Sequence, residues 1–371
     1  MGTETLDPQR SMDKCTLLAA SEAQRTRFDE VPKYREGLYD LGAAIYAWLV
    51  PNGSWGESNA GLVVGDGESL LVDTLWDLKY TGAMLDAMRP LTKAAPIQYV
   101  VNTHADSDHW WGNELVAEAE IIASQACYDE MQHLQPGSMV LLSRIGGLLR
   151  SLRVLGADKV GRWFQNMVAP YDTGAVTPTP PTHTFEGALT LTVGGREVQL
   201  IEVGPAHTHG DLLVYVPDAR VLFSGDILFI GSTPVMWAGP VENWLAALDR
   251  ILGMEVELIV PGHGPVVDQA NVRPVKAYWE YVADEAHKRY DRGMSASEAA
   301  YDIALGDEFS RQSFADWNSP ERMMTNVHTL YRQWQGRTES LKPFQLVNLF
   351  RQQALLAHQL PDAQPAIMRK G

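Results

Sequence analysis

The sequence predicts an α/β fold: an αβ/βα sandwich followed by a C-terminal helical extension. Three observations predict it. Short apolar runs with turn punctuation fill Leu38 to Val260, in two strand-rich halves that each contain helical spacing. Two such halves favour a sandwich over a single doubly wound sheet. After about residue 268 the strand signals stop. The 371 residues suffice for two or three domains, or one large domain with additions.

The elements follow in order. Residues 1–35 carry few large apolar side chains and are expected to form an N-terminal arm. The stretch Gly42 to Val50, then Gly61 to Val64 and Ser69 to Asp73, read as strands, and Gly65-Asp66-Gly67 is a hairpin signal. Leu78 to Met88 has helical spacing, and Ile97 to Val101 is a buried-strand run ending at Asn102-Thr103-His104. The second half offers strands at Leu189 to Val193, Val198 to Val203, Leu212 to Val216, Val221 to Ser224 and Leu258 to Val260, with a helix over Val241 to Leu252. Beyond it, Ser295-Ala296-Ser297-Glu298 is a capping box. Ser319-Pro320-Glu321 reads as an N-cap opening a helix toward Trp334, and a third helix spans about Pro343 to His358.

A helical insert over 131–180 interrupts the first half. Its apolar residues Leu141, Leu142, Ile145, Leu148, Leu149, Leu152, Leu155, Trp163, Phe164 and Met167 read as a helix pair packed on the core or on a second subunit. The alternative reading is a lid over a hydrophobic substrate pocket.

Apolar residues at 45% and charged residues at 20% exclude a disordered or fibrous chain. Thirty basic against 46 acidic residues give a net charge of −16, which repels phosphate backbones and argues against a nucleic-acid partner. Two cysteines, Cys15 and Cys127, cannot build a disulfide framework and read as reduced thiols. No run reaches the roughly 18 apolar residues of a membrane span, and no targeting signal is legible. The expectation is a soluble, cytoplasmic protein with a small-molecule substrate and no membrane partner, open to homodimerisation through its helical regions.

Metal-ligand residue types recur where predicted strands end. His104-Ala105-Asp106-Ser107-Asp108-His109 follows one strand; His207 follows another in Gly204-Pro205-Ala206-His207-Thr208-His209-Gly210-Asp211. Asp226 lies in Phe223-Ser224-Gly225-Asp226, and His263 in Pro261-Gly262-His263-Gly264. Loops held at strand ends are where a rigid scaffold can position ligands. Four of ten histidines occupy these positions. His133, His183, His287, His328 and His358 are expected to be structural or on the surface.

Together these motifs, with Ser58 to Gly61 and Val72-Asp73-Thr74 before them, resemble the metallo-β-lactamase superfamily over roughly 36–268. The resemblance implies a four-layer αβ/βα sandwich, followed by 269–371 as a C-terminal helical region. It implies a dinuclear site: one metal on His104, His207 and Asp106, the other on Asp108, His109 and His263, with Asp226 bridging. The chemistry it implies is hydrolysis of an ester, lactone, thioester or amide-like bond by a metal-bridging hydroxide, with Asp108 carrying a proton to the leaving group. Trp55, Trp111 and His209 are candidate pocket residues, although packing beneath the metal loop is the favoured reading for Trp110 and Trp111.

One position departs from the family pattern. Asp106 stands where the family usually has histidine. A third carboxylate favours harder ions, so iron or manganese remains open beside the zinc usual in the family. A di-iron oxygenase or other redox enzyme is therefore the alternative function. An alkylsulfatase-like hydrolase is the lesser one, because that branch also pairs the core with C-terminal helices.

Overall fold

The computed structural model of the chain describes residues 9–152, 156–337, 339, 341–360, 365 and 368. An eight-stranded sheet runs in chain order through β1 (Thr16–Ala20), β2 (Gly37–Asp40), β3 (Ile45–Leu49), β4 (Ala60–Val64), β5 (Ser69–Val72), β6 (Ile97–Val101), β7 (Glu120–Ser124) and β8 (His183–Phe185). Pairing is antiparallel up to β5 and parallel from β5 to β8. A five-stranded sheet faces it, built from β9 (Ala188–Val193), β10 (Arg196–Glu202), β11 (Leu212–Val216), β12 (Val221–Phe229) and β13 (Leu258–His263).

Short helices α1 (Gln9–Met12) and α3 (Gln125–Met131) flank the longer α2 (Leu78–Thr92), and the insert supplies α4 (Pro136–Arg150) and α5 (Ala157–Val168). After them come α6 (Val241–Gly253), α7 (Val272–Asp291), α8 (Ala296–Ala304), α9 (Asp307–Ser310), α10 (Met323–Trp334) and α11 (Pro343–Ala357).

Strand alternation explains the four layers. Leu70, Val72, Val101 and Ile122 point inward, against Leu200, Val214 and Phe223 of the second sheet. Their neighbours Leu71, Val100 and Ile121 point outward, onto Met84 and Met88 of α2. With both faces covered, these strands are continuous apolar runs rather than alternating ones. The outer face of the second sheet, Leu213, Leu222 and Ile259, packs on Trp244 and Leu248 of α6 and on Tyr278, Trp279 and Val282 of α7. Each fully buried side chain of this kind contributes about 1.5–3 kcal/mol.

Several expectations change in the structure. Part of the expected N-terminal arm is an edge strand: β1 pairs with β2, and Arg27 forms a buried ion pair with Glu36 at 3.2 Å. A mostly exposed edge strand and a buried cation carry little hydrophobic signal. β12 does not stop at Ser224 but continues through irregular register to Phe229, so Asp226 lies within a distorted strand. Ser319 does not cap a helix. It sits at φ 61°, its hydroxyl makes no capping bond, and a turn of 3₁₀ helix over Pro320–Arg322 precedes α10. The capping box at Ser295 and Glu298 is present.

The insert buries Leu142, Trp163, Phe164 and Met167 but leaves Leu141 and Leu148 exposed, and Leu155 falls outside the described residues. The C-terminal helices share the core of the second sheet: Val327 and Leu330 of α10 join Trp244 and Tyr278. Asn326 ties α10 to the loop after β12, donating to the Pro234 carbonyl and accepting from Met236 N–H, both at 2.9 Å. Among the described residues no helix is long and apolar enough to cross a membrane.

Candidate metal centre

The turn after β6 closes on itself, with His109 N–H bonded to the Asp106 carbonyl at 3.0 Å. That turn directs His104, Asp106, Asp108 and His109 to one side. His207 follows β10 in a turn fastened by Asp211, whose carboxylate accepts from Ala206 N–H, Thr208 N–H and the Thr208 hydroxyl. Asp226 comes from β12 and His263 from the end of β13. Gly262 beside them has a steric role, since a Cβ there would lie 1.8 Å from Asp226 Oδ1.

All four imidazoles are oriented from behind. His109 Nδ1 lies 2.8 Å from Asp73 Oδ2, His207 Nδ1 2.7 Å from the Val235 carbonyl and His263 Nδ1 3.1 Å from the Glu57 carbonyl. Thr103 donates its hydroxyl proton to Asp73 and so accepts from His104 Nδ1 at 2.9 Å. With Nδ1 the donor in every case, each Nε2 presents a lone pair inward. These four atoms converge on Asp226. His109 lies 3.2 Å from Oδ1, while His207, His263 and His104 lie 3.4, 3.4 and 3.7 Å from Oδ2.

Lone pairs facing a carboxylate repel unless a cation intervenes. Asp226 Oδ1, His104 Nε2 and His109 Nε2 are buried without a hydrogen bond. The ligand atoms fall into two groups, His104, Asp106, His207 and Asp226 in one and Asp108, His109 and His263 in the other, each within 4.8 Å. Four imidazoles and three carboxylates in this arrangement fit divalent cations.

Protons take the place of cations otherwise. Burial opposes a charge on His207, but the Asp106 carboxylate 3.1 Å away overrides it and carries the pKa up to about 10. Burial is likewise outweighed at His109, where Asp226, Asp108 and Asp73 hold the imidazole well above its ordinary value. At His104 burial, reinforced by the charge on His109, pushes the pKa well below. Burial would raise Asp226, yet His263, His109 and His104 hold it well below the carboxylate range. Metal binding therefore displaces protons and weakens as pH falls.

The structure brings all seven candidate ligands together, Asp106 included. Asp106 Oδ2 also accepts from Trp237 Nε1 at 2.8 Å. Trp55, half-buried at the rim, meets Trp163 of α5 and Phe350 of α11 edge to face at 5.8 and 6.3 Å, and Trp237 meets Phe350 at 6.0 Å. Trp111 is buried with Trp110 in the core beneath the metal loop, the packing favoured for it from the sequence. His209 is not a pocket residue: it bonds Glu130 at 3.1 Å on the surface and belongs to neither ligand group.

Asp73, Thr103, Trp237 and Arg322 are not legible as site residues in the sequence. Asp73 carries a signal, an acid at a strand end just ahead of threonine. Trp237 and Arg322 carry none, because tertiary packing alone brings them in.

The sequence profile of the metallo-beta-lactamase superfamily matches residues 53–263. A linear primary-alkylsulfatase from Pseudomonas sp. is 26% identical over 255 residues, covering 64% of this chain and 48% of that protein. The acyl-coenzyme A thioesterase MBLAC2 of Homo sapiens is 24% identical over 259 residues, covering 65% and 80%. Among solved structures, the sec-alkylsulfatase Pisa1 from Pseudomonas sp. is similar with a TM-score of 0.56 at 16% identity, over 89% of this chain and 55% of that one. A metallo-beta-lactamase family protein from Thermus thermophilus also gives 0.56, at 18% identity over 80% and 95%. The chain thus spans about half the length of these alkylsulfatases.

Proposed function

The chain belongs to the metallo-beta-lactamase superfamily, and from that premise we propose that it is a dinuclear metal-dependent hydrolase of an ester-type bond in a small organic substrate. The observation that carries this reading is the convergence of four Nε2 atoms on Asp226, each imidazole held from behind through Nδ1. Two divalent cations bound there would lower the pKa of a water toward neutrality and polarise the oxygen of the scissile group.

The chain's own residues supply the rest. Asp226 lies between the two groups and sets their separation. Asp73 and Thr103 keep His109 and His104 in one tautomer. Asp106 and Asp108 are the ligand side chains that retain exposure, 31% and 13%, so substrate approaches from their side. In this reading Asp108, partly exposed beside His263, holds a proton there and passes it to the leaving group. Trp55, half-buried and backed by the buried Trp163 and Phe350, offers apolar surface near the centre, which favours a substrate with a hydrophobic portion.

The similarity to a linear primary-alkylsulfatase over 255 residues favours a second reading, a sulfate ester as the scissile group. Metal-loaded protein should be assayed for kcat/KM against p-nitrophenyl acyl esters of rising chain length, acyl thioesters and alkyl sulfates. We expect metal-dependent turnover that rises with apolar chain length and falls at least a hundredfold in Asp108→Ala. Absence of turnover across the series, or small polar esters outperforming long ones, refutes the proposal. Iron retained with a ferric absorption band would instead favour the redox alternative.

A further inference from the structure

Arg322, in the C-terminal region, lies close to the metal centre, where Asp226 and Asp108 act on its charge. It ends the 3₁₀ turn before α10 and is 2% exposed. Its Nη1 donates to the Thr233 carbonyl at 2.8 Å. Its guanidinium carbon sits 4.9 Å above the Trp55 ring and 5.4 Å from the Phe229 ring. Phe229 in turn stacks on His263, 4.9 Å apart and 5° from parallel. The cation therefore occupies a slot between the rim residue Trp55 and the aromatic backing of a ligand histidine.

That slot leaves part of the guanidinium unmatched. Nε is buried and has no hydrogen bond. Among the described residues no carboxylate oxygen lies within the 4.0 Å of an ion pair with Arg322. A buried cation without close pairing is strongly disfavoured. Burial itself lowers its pKa, and the groups that offset this are Glu321, then Asp226, Asp108 and Tyr278. Two of those four belong to the centre. Once divalent cations bind Asp226 and Asp108, their negative charge is cancelled, and Arg322 faces a centre that no longer compensates it.

We propose that Arg322, whose Nε has no partner and whose guanidinium lies between Trp55 and the Phe229 ring that backs His263, recognises a negatively charged group of the substrate. The inference rests on the hydrolase reading and narrows its substrate class to anions. Sulfate, phosphate and carboxylate share the required chemistry, because each offers paired oxygens to a planar fork. Trp55 then has two functions: its face holds the cation, and its half-buried ring borders the apolar approach.

Binding tests this without turnover. Full-length, metal-loaded protein is titrated with sodium sulfate, sodium phosphate or sodium acetate at constant ionic strength, following the thermal midpoint, with metal content measured in the same samples. We expect one anion to stabilise the wild type at concentrations at least tenfold below those required for Arg322→Gln at equal metal content. The anion that acts most strongly identifies the source: sulfate ester, phosphate ester or carboxylate. Equal responses of wild type and Arg322→Gln, or no stabilisation of the wild type by any of the three, overturn the proposal. Should Arg322→Gln fail to fold or to load metal, Arg322→Lys decides. It keeps the charge but loses the fork, so binding at least threefold weaker supports the proposal and wild-type binding overturns it. A protein that binds the anion yet hydrolyses nothing would sink the hydrolase reading alone.

Discussion

A methyl group on Gly262 would stand 1.8 Å from Asp226 Oδ1, far inside contact distance, so the strand end must be glycine for Asp226 to reach the histidines. Gly262→Ala is expected to fold but to lose metal affinity by at least tenfold. Metal content after dialysis against a weak chelator checks it, and full retention would show that Asp226 can move aside. Asp106 gives the second prediction at this scale. It lies 3.1 Å from His207 Nε2 and shares Oδ2 with Trp237, so it is already held in the ligand group. Asp106→His removes one negative charge and a hard oxygen donor, and should shift competitive loading from iron toward zinc several-fold. Unchanged selectivity would mean that Asp106 has no part in metal choice.

Among the elements, the packing of α10 against α8 contains a titratable contact. His328 lies 3.0 Å from the Ser297 hydroxyl, and burial, assisted by Arg332, lowers its pKa to about 4. The unfolded chain takes up that proton near pH 6.5, so the contribution is complete above that pH and is lost as pH falls toward 4. Its size is at most roughly 3 kcal/mol. Denaturant melts at pH 7 and 4.5 should show a larger loss for wild type than for His328→Gln, and parallel losses would contradict this. Elements of this kind are largely legible in the sequence. The strands around the centre are runs of β-branched and apolar residues bounded by glycine turns, and the capping box at Ser295 depends on a contact three residues long. Ser319 misleads because its neighbours fit a cap while its backbone adopts a left-handed turn. β1 leaves no trace because an edge strand over Thr16–Ala20 is mostly exposed and needs no apolar alternation. The seven ligands are legible because short motifs at strand ends resemble those of a known family, whereas Trp237 reaches the centre through its bonds to His207 and Asp106 and Arg322 through the segment before α10.

For the whole molecule, the centre joins both sheets, and its occupancy should be felt globally. Metal bound only by the folded chain stabilises it by about 2.7 kcal/mol per site at a hundredfold excess over Kd. Stripping metal-loaded protein with a chelator is therefore expected to lower the thermal midpoint by several degrees, reversibly on re-addition. A midpoint indifferent to the chelator would show that the ligand groups hold their geometry through hydrogen bonds alone.

The ligands also have an order in time. His104 leaves the ribosome roughly 160 residues before His263, and Arg322 follows later still. At about 5–20 residues per second, the first metal group stays incomplete for about 6 to 24 s, and the second for about 8 to 30 s. Throughout that interval the growing chain exposes imidazoles that could bind any abundant cation loosely, but the paired site does not yet exist. Any discrimination between cations by the complete ligand set has to wait for the finished polypeptide, in which four separate segments of the chain hold His104, His207, Asp226 and His263 against one another.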